Sequence, residues 1–216
     1  MPEESTGPVS ENFKEAPNVY LASFATKFAE FPKLQTQFVA EYKKPGFKAL
    51  QAKALADGFK PMTALTKEAY FGTTNTLKSN DGRTATFDMM VHSYEKPGSK
   101  DQAAVATVKV RAGDKSETYQ FLLVAPGGNF EKAQEYMIGP NNTVIEAHSW
   151  WTRFRRCVTS KCGTVCLGAT VSCSGTWAAY LLCLVAVCGS CVLRCVACAS
   201  CNCRWWCRWA VGCCEG

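Results

Sequence analysis

The first 156 residues contain no cysteine, and no tryptophan precedes position 150. Thiol chemistry and disulfides are thereby excluded from the front of the chain. No histidine follows His148, which removes the mixed Cys/His ligand sets of zinc fingers from the rest. Near the start there is no apolar run of the ~7–15 residues that a conventional secretory signal needs. Residues 1–150 hold 17 basic and 17 acidic side chains, so they lack the basic field of a nucleic-acid binder, and no nucleic-acid partner is expected. The motifs G-x-S-x-G, H-E-x-x-H and the P-loop are all missing. The only histidines, His92 and His148, stand outside any catalytic pattern. His92 shares a strand face with Asp88 and Tyr94, which reads as a solvated sheet face. No catalytic residue is assigned, and an enzyme is not expected.

What the chain does contain is concentrated at one end. Of its 216 residues, those after position 150 carry Arg153, Arg155, Arg156, Lys161, Arg194, Arg204 and Arg208 against Glu215 alone. The whole net charge of +6 therefore belongs to this tail, together with all 14 cysteines. Such cysteine density is the composition of a disulfide framework made for an oxidising compartment.

Two periodicities organise the part before the tail. Leu34, Phe38 and Tyr42, then Phe47, Leu50 and Ala54 after Pro45-Gly46, repeat at helical spacing, and Gly58 supplies a stop. From about Leu65 to Ser149 the period becomes two. Ala85, Phe87, Met89 and Val91 form one such face, Ala104, Ala106, Val108 and Val110 a second, and Tyr119, Phe121, Leu123 and Ala125 a third. Turn chemistry at Asn80-Asp81-Gly82, Lys96-Pro97-Gly98, Ala112-Gly113-Asp114 and Gly139-Pro140-Asn141-Asn142 separates them. The expected fold class is α+β: N-terminal helices covering one face of an antiparallel meander of four to six strands, followed by a small all-α, disulfide-bonded helical hairpin. The expected divisions are a flexible leader (1–33), the α+β domain (34–149), a basic linker (150–161) whose Arg155-Arg156 suits processing, and a cationic Cys/Trp-rich helical peptide (162–216).

Cysteine spacing carries the argument within the tail. Cys188, Cys191, Cys195 and Cys198 fall at i, i+3, i+7 and i+10, one face of a helix. Cys162, Cys166 and Cys173 make a similar stripe upstream, with Ser174-Gly175 as a turn between them. Facing stripes on antiparallel helices would be zipped by disulfides if opposite Cα atoms approach to ~5.5–6 Å. Cys157, Cys183, Cys201, Cys203, Cys207, Cys213 and Cys214 complete an even set of disulfide candidates, whose connectivity stays open. No cofactor is expected. Zinc on the C-x-x-C pairs of Cys188/Cys191, Cys195/Cys198 and Cys198/Cys201 is the alternative, with no metal ligand assigned.

Between Lys161 and Arg194 there are 32 consecutive uncharged positions, flanked by basic residues and followed by Trp205-Trp206 and Trp209. Basic and aromatic flanks around an apolar stretch are the pattern of segments that enter a membrane interface. Trp177, Trp205, Trp206, Trp209, Arg194, Arg204 and Arg208 are the expected lipid contacts, although the same stretch fits a buried helix in a disulfide-bonded bundle.

The run Cys157-Val-Thr-Ser-Lys-Cys162-Gly-Thr-Val-Cys166 through Gly212-Cys213-Cys214 resembles the tail of halocin-type (microhalocin) bacteriocin precursors. The resemblance lies in cysteines set three to ten apart among small apolar residues, behind a neutral α+β region. It implies a precursor cut in two, with a secreted, disulfide-rich antimicrobial peptide and an N-terminal immunity partner. The partners it implies are target-cell membrane lipids and, for the N-terminal domain, its own C-terminal peptide. On the residues alone, the competing expectation is a non-enzymatic, membrane-anchored or metal-buffering protein with a reduced tail.

Overall fold

A computed structural model of the protein describes residues 21–147 and 149–201. The chain begins there with strand β1 (Leu21–Phe28), followed by helices α1 (Phe31–Glu41) and α2 (Pro45–Ala56). Each helix has a proline at its first or second position, where the ring's fixed φ suits the helix and its missing N–H is not needed. Gly58, at φ 86°, takes the left-handed conformation just past the end of α2. The strands are β2 (Lys60–Pro61), β3 (Tyr70–Ser79), β4 (Thr84–Glu95), β5 (Gln102–Ala112), β6 (Lys115–Ala125), β7 (Gln134–Ile138) and β8 (Val144–Ala147). Four helices end the described chain: α3 (Trp150–Lys161), α4 (Gly163–Ser172), α5 (Trp177–Cys188) and α6 (Ser190–Cys201).

All strand pairings are antiparallel, in the order β1-β3-β4-β5-β6-β7-β8, while β2 pairs the end of β4 that β3 leaves open. The α+β class expected from the sequence is the class observed. The sheet has eight strands rather than four to six. One of the additional strands, β1, comes from the segment read as a leader: seven of its residues pair with β3, from Ser79 to Thr73, across one register shift.

Both faces of the sheet are covered, where one was expected. Under α1 and α2 lie Tyr70, Tyr94, Ala103, Val105 and Leu122, meeting Leu34, Phe38, Phe47 and Leu50. Gly72 is required by this packing, because a Cβ there would collide with the Leu34 side chain. The opposite face presents Phe87, Met89, Val91, Ala106, Val108, Phe121 and Leu123 to α3–α6. The three period-two faces read in the sequence all point to this side. The continuous burial of Ala103 to Val108 follows, since β5 runs through the middle and is packed on both sides.

Residues 150–161, expected to be a basic linker, form α3 and belong to the core. Trp150, Trp151, Phe154 and Val158 are buried at helical spacing, with Arg153 and Arg155 half-buried at the edges of that face and Arg156 exposed. A buried carboxylate from β7 holds the start of this helix. Glu135 accepts from the backbone N–H of Trp150 at 3.3 Å and of Trp151 at 2.7 Å, two donors that a helix start leaves unpaired.

Candidate functional site

The cysteine-rich tail forms a hairpin with a ladder of bridges between its arms. One arm is the end of α3 with α4, and the other is α5 with α6. Cys173 pairs with Cys183, Cys166 with Cys188, Cys162 with Cys191 and Cys157 with Cys195. Each pair encloses the one before it, and all four Cα–Cα separations lie between 5.4 and 5.8 Å. The two stripes read in the sequence do face each other across the Ser174-Gly175 turn. Cys157 and Cys183, which lie on neither stripe, extend the ladder at its two ends. Cys198 and Cys201 are also disulfide-bonded. Cys203, Cys207, Cys213, Cys214, Arg204, Trp205, Trp206, Arg208, Trp209 and His148 lie outside the described residues.

Sulfurs of adjacent rungs approach closely: Cys162 and Cys195 Sγ are 3.8 Å apart. Cys162, Cys191 and Cys195 bring three sulfurs within 4.8 Å of one another. In the oxidised chain each of them is in a disulfide and offers no thiolate, the form in which cysteine binds metal.

The seam between hairpin and sheet is aromatic. Trp150 stacks on Phe121 at 4.6 Å, Phe130 stacks on Tyr180 at 4.0 Å, and Trp177 stands edge-on to Phe130 and Trp151 at 4.8 and 5.0 Å. Each indole N–H finds an acceptor: Trp150 on Ser200 Oγ, Trp151 on the Phe130 carbonyl and Trp177 on the Gln102 carbonyl. The start of α5 is tied to the sheet twice over, since the Ala178 N–H donates to Ser93 Oγ and Thr176 Oγ1 donates to the Glu68 carbonyl. Burial pushes the Tyr180 phenol up to about 12. Arg153, half-buried, donates to the Ala199 carbonyl and is held below its ordinary range by desolvation. Two residues named as lipid contacts fall in described positions. Trp177 is fully buried in this seam, so it reaches lipid only if α5 leaves the sheet, whereas Arg194 is exposed on α6. Sequence reasoning missed Trp150, Trp151, Phe154 and Tyr180. For the three in α3 the i, i+1, i+4 spacing was the available signal, masked by three arginines in the same stretch, whereas Tyr180 lies in α5.

Under α1 and α2 the structure corrects the reading of His92, which is buried and not on a solvated face. Its ring stacks on Tyr70 at 4.5 Å. Nε2 lies 2.6 Å from the Met62 carbonyl, which only accepts, so Nε2 carries the hydrogen and Nδ1 accepts from the Tyr42 hydroxyl. Tyr42 in turn meets the Tyr94 hydroxyl at 2.8 Å. Desolvation raises the Tyr42 phenol far above its ordinary value and takes Tyr94 to about 12. The same burial lowers His92 to about 4, against a smaller opposing effect of the Met62 hydrogen bond.

That shift fixes a pH dependence. Above pH ~6.5 the imidazole is neutral in both folded and unfolded chains, and stability is at its full value. Between 6.5 and about 4 the unfolded chain takes up a proton that the folded chain refuses, so stability falls as pH falls. The full interval is worth about 3 kcal/mol, most of it lost by pH 4.5. Urea midpoints at pH 7 and pH 5 should differ accordingly in the natural chain and much less in His92→Gln. Equal slopes in both would assign the acid sensitivity elsewhere.

A groove of about 500 Å³ runs between α1 and the polar half of the sheet, bordered by Lys33, Glu41, Lys44, Asp88, Lys109 and Arg111. Glu41 pairs with Lys44 and Asp88 with Arg111, both at 2.5 Å, so much of its charge is internally compensated. Asp88, on the same face of β4 as His92 as expected, is engaged here by Arg111.

Among the described residues no helix is long and apolar enough to cross a membrane. Compared with known proteins, the chain matches no family model, no curated protein and no solved structure. The class defined by fold and site is an α+β sheet domain whose second face is covered by a cystine-laddered helical hairpin.

Proposed function

We propose that the chain is a bacteriocin-like precursor. In this reading its cationic, disulfide-rich C-terminal peptide disrupts target membranes after release and secretion, and the sheet domain shields that peptide and gives self-immunity. One observation carries the proposal. All 14 cysteines follow residue 156, so no disulfide can join sheet to tail, yet the tail's described tryptophans, Trp150, Trp151 and Trp177, are packed on the sheet. A single backbone cut ahead of Cys157 therefore leaves two pieces held only by non-covalent contacts. Cationic peptides with tryptophan-rich faces partition into anionic interfaces when such a face is free. Arg155-Arg156 lies inside α3, where Arg155 donates to the Glu131 carbonyl at 2.5 Å, so a cut there requires α3 to unwind locally.

The test is to cleave the folded, oxidised chain through a protease site engineered between Ala147 and Cys157, then apply it to dye-loaded anionic vesicles. Separated tail should cause leakage at micromolar concentration, the uncut chain should not, and added sheet domain should suppress it. Absence of leakage from the freed tail would sink the lytic reading.

The convergence of Cys162, Cys191 and Cys195 favours a second reading, a metal-buffering protein whose tail is reduced in its natural setting. Zinc titration of the reduced chain, read by loss of reactive thiols, distinguishes it. Stoichiometric uptake with retained helicity supports buffering.

A further inference from the structure

The sheet domain covers only one side of the hairpin, and the side it leaves open has its own chemistry. On α4, Cys166, Ala169 and Cys173 point inward, while Val165 and Val171 are 71% and 73% exposed and Leu167 is 38% exposed. Thr164, Gly168 and Ser172 fill the rest of that outer arc, so it carries no charge. Val187 on α5 is also exposed, at 48%. The exposed charged residues of the hairpin are basic, Arg156 and Lys161 ahead of α4 and Arg194 on α6, and Glu131, in the turn that packs on α4, is paired with Arg155. From Ser149 to Cys201 there is no acidic residue at all.

We infer that the intact chain docks on anionic lipid surfaces through the outer face of α4, while its tryptophan face stays on the sheet. Charge complementarity selects the occupant: an exposed, uncharged helix face on a segment whose charged residues from 149 to 201 are all cations suits a surface with an apolar interior and anionic headgroups. Rigidity supports the same assignment. Three rungs of the ladder, from Cys162, Cys166 and Cys173, fix α4 along its whole length, so its valines are presented without ordering on contact. At ten residues α4 is about 15 Å long, enough to lie along an interface and too short to span one. The shield is thus one-sided, hiding the face that would insert and leaving free the face that would attach. This deepens the membrane reading above and rests on it for the choice of lipid as partner.

Co-sedimentation of the full oxidised chain with vesicles decides the matter, comparing phosphatidylglycerol/phosphatidylcholine mixtures with phosphatidylcholine alone. The expected result is binding to the anionic vesicles only, without dye leakage, weakened by salt and reduced at least tenfold in Val165→Asp/Val171→Asp. Both positions are solvent-exposed, and intact mass with near-UV circular dichroism checks that the variant is oxidised and folded. Equal binding by the variant would move the contact to residues 202–216 and overturn the assignment to α4. Equal binding to neutral vesicles, or no binding, would overturn it as well. A concentration-dependent dimer abolished by the double substitution would make a second copy of the chain the occupant instead. Failure here is separable from failure of the lytic reading. Leakage by the cut tail without docking of the intact chain removes only this inference, and docking without leakage removes only the lytic step.

Discussion

Trp177→Ala should destabilise the chain by about 3–5 kcal/mol, the usual range for truncating a fully buried large aromatic. Three things are lost at once. A fully buried indole leaves a cavity between β5 and the hairpin, the edge-on contacts with Phe130 and Trp151 disappear, and the Gln102 carbonyl loses its donor. Because Trp177 is the first residue of α5, the damage falls at the junction where Ala178 and Thr176 fasten the helix to the sheet. The urea midpoint, followed by near-UV circular dichroism, should drop sharply, and amide exchange should accelerate first in α5. Under the function proposed above, the uncut variant should also begin to leak vesicles. Val165→Ala, on the exposed face of α4, provides the contrast and should shift stability by less than about 0.5 kcal/mol. A loss below about 1 kcal/mol in Trp177→Ala would show that the aromatic seam does not hold the hairpin in place.

Reduction should have the larger effect. A bridge closing a loop of about 15 residues contributes about 3 kcal/mol by restricting the unfolded chain, and nested bridges contribute less each because inner ones have already shortened the loop. Four rungs together still come to the order of 10 kcal/mol, comparable with the whole stability of an ordinary domain. Fully reduced chain should therefore lose α3–α6 as ordered helices. The sheet face holding Phe87, Val108 and Phe121 would then be uncovered. The measurements are helical signal at 222 nm, expected to fall, and binding of the dye ANS, expected to rise, before and after a phosphine reductant. Retained helix with no dye binding would mean that the apolar packing alone suffices, and the ladder would then be protection against proteolysis more than against unfolding.

Much of this architecture was legible in the sequence wherever a single periodicity ruled. The faces beginning at Ala85, Ala104 and Tyr119 were readable because a strand shows one side at every second residue. Their partners on the other side were legible only in part. Ala103, Val105 and Leu122 also are apolar, but the continuous run Ala103–Val108 signals burial on both faces only once something is known to lie on each. His92 was misjudged because nothing local distinguishes an imidazole under Phe38 and Tyr42 from one in water; the helices that bury it are some 50 residues away in sequence. Helix α3 was misjudged for a different reason. Three arginines within four residues dominated the reading, although Arg153 and Arg155 turn out to bond backbone carbonyls beside the buried tryptophans. The cysteine stripes gave the hairpin, whereas the identity of each rung depended on the turn at Ser174-Gly175, whose geometry spacing alone does not determine.

The nesting of the four bridges also bears on how the tail acquires them. Cys173 and Cys183 are only 10 residues apart, the shortest separation in the set. Once they join, Cys166 and Cys188 become the next ends of a short, already closed arm, and the same holds for each rung outward. Closure entropy grows with the logarithm of loop length, so among pairings that cross from one arm to the other, inside-out oxidation meets a small barrier at every step. Proximity along the chain would favour same-arm neighbours such as Cys188 and Cys191, so the choice of partner across the hairpin rests on the helices first setting the two cysteine stripes face to face.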